Sequence, residues 1–77
     1  MYKLITVDVT TDEVKGLGAL SYRTHPRVGE WVEINVANVG TLFQVVMVGH
    51  SSEGNGSDLY VKRLGRTGDV IHSIVGK

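Results

Sequence analysis

Apolar and polar positions along this 77-residue chain recur mainly with a period of two rather than 3.6, which is the spacing of strands. In YKLITVDVT, Ile5, Val7 and Val9 share one face, with Lys3 at its start, while Tyr2, Leu4, Thr6 and Asp8 share the other. WVEINV at 31–36 alternates in the same way, and Val32, Ile34 and Val36 form its inward face. TLFQVVMVGH at 41–50 is apolar on both faces, broken only by Gln44. Such a pattern predicts a central strand, or one covered on its second side by a partner. DLYVKRL at 58–64 and DVIHSIV at 69–75 read as further strands. The links NVG at 38–40 and GRTG at 65–68 have hairpin composition, whereas the Ser- and Gly-rich SSEGNGS at 51–57 reads as a longer, exposed, mobile loop.

Residues 10–26 admit two readings. Thr10 and Glu13 match a capping box, which predicts a short helix over 11–16 ended by Gly16 and Gly18. Alternatively LGALSYR at 17–23 is a strand returning against the first, with Leu20 and Tyr22 on one face. The strand is preferred, because Gly, Ser and Tyr disfavour a helix there. Pro26 then ends the element, and Val28-Gly29 turns the chain into the strand that begins at Trp31.

Five or six short strands joined by loops of a few residues predict an all-β, mainly antiparallel fold in a single domain over 1–77. Closure removes the pairing-competent edges of a small sheet, so the expected form is a small, partly closed barrel or roll, SH3-like or OB-like. The string Pro26-x-Val28-Gly29-Glu30-x-Val32, followed by an apolar strand ending in His50, resembles a layout of short uncharacterised bacterial and phage β-barrel proteins. There a Pro-x-Val-Gly-Glu/Asp turn leads a small barrel. The resemblance covers about the middle third of the chain, implies the fold and brings no active site with it. Trp31 departs from the small polar residue more usual at that place.

Composition narrows the picture. A chain this short buries only roughly 60% of its unfolded surface. With no cysteine and no clustered metal ligands, oligomerisation is the expected source of further burial. The absence of cysteine removes any need for an oxidising compartment. No apolar run reaches bilayer length, and the N-terminus carries Asp8 rather than a signal-peptide core, so a cytoplasmic protein is expected. Eight basic residues balance eight acidic ones, so nucleic acid or anionic lipid would have to be drawn by a local patch.

Three chemistries find no motif in the sequence. His25, His50 and His72 are too widely spaced to read as a metal site, and unrelated histidines are expected. The glycines of 49–58 lead into a strand rather than a helix, unlike a phosphate cradle, and Glu53 and Asp58 are too few for a calcium loop. No nucleophile motif accompanies the serines, so neither catalysis nor a cofactor is expected.

Two surfaces remain. Lys62, Arg63 and Arg66, with Tyr60, form the densest basic patch; Tyr60 and Lys62 share a strand face and Arg63 takes the other. This is the basis of the alternative expectation, a barrel binding nucleic acid. The leading expectation rests on Trp31, the one tryptophan, which stands on the polar face of its strand between Glu30 and Glu33. It either packs under a neighbouring segment or anchors an interface with a charged rim. The expected function is a non-enzymatic interaction module that self-associates or docks on a larger protein, with Trp31, Phe43, Tyr22 and Tyr60 as contacts.

Overall fold

The computed structural model of the protein describes residues 1–50 and 57–75. Its elements are β1 (Tyr2–Asp8), β2 (Lys15–Tyr22), β3 (Trp31–Val36), β4 (Val39–His50), β5 (Ser57–Arg66) and α1 (Thr67–Val75). The strands form one sheet in the order β2-β1-β5-β4-β3, curled into a half-barrel. Pairing is antiparallel throughout except between β1 and β5, which run parallel at the centre. The small, partly closed β-fold expected from the period-two pattern is therefore present, as a mixed sheet.

The concave face carries the core: Leu4, Val32, Ile34, Phe43, Val45, Leu59 and Val61. On β1 the inward face is the one bearing Leu4 and Thr6, and Ile5 is left about half exposed. A buried threonine is tolerated because its hydroxyl is fully used. It donates to the Leu4 carbonyl at 3.3 Å, so the Tyr22 hydroxyl, 2.8 Å away, must be the donor to Thr6 Oγ1.

The Pro26–Glu30 turn is held by its own residues. Glu30 N–H donates to the Arg27 carbonyl at 3.0 Å, and Arg27 N–H donates to the Glu30 carboxylate at 2.7 Å. Gly29, at φ 94°, occupies a conformation costly for other residues, and from there its N–H donates to Val45 C=O at 2.8 Å. Gly29 and Glu30 thus stitch the start of β3 to β4, the Glu30 C=O accepting the Val45 N–H at 2.9 Å.

Three local expectations are corrected, and of the two readings of residues 10–26 the strand is the one present, as β2 paired antiparallel with β1. The segment DVIHSIV is not a strand but lies in helix α1. Val70, Ile71, Ile74 and Val75 recur at i, i+1, i+4 and i+5, which is a helical stripe, and Asp69 in the first turn complements the helix dipole. GRTG is accordingly no hairpin: Gly65 and Arg66 end β5, and Thr67 begins the helix. No helix forms at 11–16. Thr10 Oγ1 accepts the Arg63 N–H at 2.7 Å and donates to Asp8, while the Glu13 N–H goes to Thr11 Oγ1 at 3.2 Å rather than to Thr10, and β2 begins at Lys15. Finally, the β3–β4 hairpin turns at Ala37-Asn38, both at positive φ (51° and 66°), rather than at 38–40. Two such residues between paired Val36 and Val39 make a type I′ turn. The loop expected at 51–57 lies outside the described residues except for Ser57, which opens β5.

Candidate interaction surface

Register places the exposed side chains of the convex face in rows. Trp31 of β3 pairs with Gln44 of β4, and Gln44 pairs with Lys62 of β5. The next row toward the other end runs from Met47 of β4 through Tyr60 of β5 to Val7 of β1. Trp31 and Lys62 are thus two strand spacings apart, about 10 Å. The convex face is studded with exposed apolar groups, among them Ile5, Val46 and Met47.

Bulges explain part of this. The register shift between Val45 and Met47 turns two successive apolar residues away from the core. A second shift, between Leu42 and Phe43, leaves Leu64 without a register partner on β5, and it too is exposed. Next to it Gly65 adopts φ 145°, and a Cβ there would lie 3.4 Å from a Val70 methyl. Val70 therefore rests directly over Gly65, which is the register partner of Leu42.

Leu42 answers the question raised by the two-sided apolar strand. It is 7% exposed yet stands apart from the concave core, on the face opposite Thr41 and Phe43. Its cover is α1, packed on β4 and β5. That cover is incomplete. Alpha-helix α1 buries none of its own residues, and Ile71, Ile74 and Val75 remain exposed. Trp31, 45% exposed, borders a groove of about 550 Å³ whose other walls include Leu64, Arg66, Asp69, Val70 and Ile74. A second cleft, of about 390 Å³, has Trp31 and Val32 on one side and Tyr22, Arg23 and Pro26 on the other.

Of the residues expected to make contacts, Trp31 and Tyr60 stand on the convex face, and Tyr60 is half-buried. Tyr22 turns inward to Thr6, and burial pushes its phenol above the usual 10.0, an effect partly offset because the Thr6 hydroxyl can turn to donate to the phenolate. Phe43 is 1% exposed and pairs with Val32 in the core, so it backs the sheet instead of offering a surface. The basic residues are dispersed. Lys62 shares the convex face with Tyr60, Arg63 pairs with inward Phe43, and Arg66 borders the Trp31 groove. Sequence reasoning missed Leu64, Ile71 and Ile74; the i, i+4 spacing of α1 was the available signal.

The histidines are not all unrelated, contrary to expectation. The rings of His25 and His50 stack with centroids 6.2 Å apart, and Tyr2 meets His25 edge-on at 5.6 Å. They line a cavity of about 660 Å³ with Arg27, Glu30 and Val48. His25 Nδ1 donates to the Pro26 carbonyl at 2.9 Å, and His50 Nδ1 bonds Ser57 Oγ at 2.8 Å. Among the described residues no three metal-ligating side chains gather, and no helix is long and apolar enough to cross a membrane.

Compared with protein-family models, curated proteins and solved structures, the chain matches none of them.

Proposed function

We propose that this chain is a non-enzymatic protein-interaction module whose contact surface is the convex face around Trp31. The observation that carries the reading is the contiguous exposure of Trp31, Leu64 and Ile74 beside a helix with no buried residue. Large apolar groups gathered in one exposed patch with a charged rim are the usual composition of a binding surface. Catalysis has no support from the site, because no nucleophile, base and orienting group converge in it. In keeping with the layout that its Pro26–Val32 turn resembles, the module is a cytoplasmic accessory protein of bacterial or phage type.

A second reading, binding of single-stranded nucleic acid, has one observation in its favour: Tyr60, Lys62 and Trp31 share a face. Glu33, on that same face of β3, opposes it, as does the zero net charge. A pull-down with tagged protein, with and without nuclease and with Trp31→Ala alongside, separates the two. Protein bands that survive nuclease and vanish with the variant support the module. Recovery of nucleic acid with steeply salt-dependent affinity overturns it.

A further inference from the structure

We infer that the occupant of the Trp31–α1 surface is a second copy of this chain, in a two-fold contact that covers α1; the inference rests on the interaction reading above. Helix α1 buries none of its own residues, so one whole side of it is open to a partner.

Trp31, Leu64, Ile71, Ile74 and Val75 are between 40% and 74% exposed and belong to α1 or to the groove beside it. With a full area on the order of 150–250 Å² for a large side chain, they expose roughly 400–500 Å² of apolar surface. That is the apolar share of one side of a standard interface. A helix of nine residues is marginal unless an apolar face is packed. Here the sheet takes up Val70 and leaves the rest of the stripe open.

Lys62 and Arg66 carry positive charge on this surface, and Glu33 and Asp69 carry negative charge. A patch of no net charge with both signs can oppose itself, as a two-fold contact demands, since each residue then meets the other's counterpart. A strongly acidic or basic partner would leave half of these charges opposed by like charge.

Sedimentation velocity across a dilution series, from submicromolar to submillimolar protein, tests this. The expected result is a reversible monomer–dimer equilibrium. Ile74→Glu should raise the dimer Kd by at least about tenfold, because each dimer carries the buried charge twice. Ile74 is over half exposed, so the fold should persist, which far-UV circular dichroism checks. Arg66→Asp and Asp69→Arg should each weaken the dimer, and their combination should restore it to within about threefold of wild type. A dimer unaffected by Ile74→Glu places the contact elsewhere and overturns the inference. Monomer at every concentration also overturns it. In that case, Trp31-dependent capture of a different protein leaves the interaction reading standing, and no capture removes both.

Discussion

Replacing Leu42 with Ala tests how the second face of β4 is covered. Leu42 is 7% exposed and its cover is α1 rather than the concave core. The substitution removes three carbons, worth about 0.8 kcal/mol each, or about 2.4 kcal/mol of transfer free energy. A closed core would add a cavity penalty. Here one wall of the site is a helix that buries none of its own residues and can settle into the space. The expected loss is therefore about 2 kcal/mol, at the low end of the range of about 2–5 for Leu→Ala. For a domain this size, that lowers Tm by about 8–16 °C. Phe43→Ala, one residue away and inside the closed core, should cost about 3–5 kcal/mol. Urea unfolding of both variants, followed by far-UV circular dichroism, gives the comparison. Leu42→Ala should also reduce the helical signal in the native baseline, and Phe43→Ala should not. A Leu42→Ala cost below about 0.5 kcal/mol, or one equal to that of Phe43→Ala with the helix intact, refutes the reasoning.

Three further outcomes follow from the same geometry. Tyr22→Phe leaves the buried Thr6 hydroxyl without its donor and should cost about 1–2 kcal/mol in urea unfolding; no loss would show that the bond does not form. Because the folded state holds the Tyr22 proton more tightly than the unfolded chain, its contribution is complete below pH 10.0 and lost as pH rises through the raised folded value. Wild-type stability should therefore decline above pH 10.0, and Tyr22→Phe should lessen that decline. Ala37→Asn relieves an alanine held at φ 51° in the type I′ turn and should stabilise by about 1 kcal/mol, read as a higher Tm; a lower Tm would contradict the turn assignment.

What could be read from the chain alone follows from how local each feature is. Strands β1 and β3 follow from alternation and β4 from its apolar run, and the turn at Pro26–Glu30 from the Arg27–Glu30 bonds and a glycine at positive φ. Helix α1 was hidden because Val70, Ile71, Ile74 and Val75 are β-branched and read as strand by propensity, while their i, i+4 spacing is helical. The parallel pairing of β1 with β5 joins residues more than fifty positions apart, and no local pattern encodes it. Of the site, Trp31 stood out as a misplaced aromatic. Its neighbours Leu64 and Ile74 did not, because a bulge and a helix carry them there.

Trp31 is the chain's sole tryptophan and stands within the proposed contact, so its fluorescence reads that contact directly. The decisive measurement is its emission maximum and acrylamide quenching along the same dilution series used for sedimentation. Red-shifted, readily quenched emission is expected in the dilute monomer, moving to blue-shifted, protected emission in step with dimer formation. Association that leaves emission and quenching unchanged would contradict the claim that the surface around Trp31 is where this protein binds.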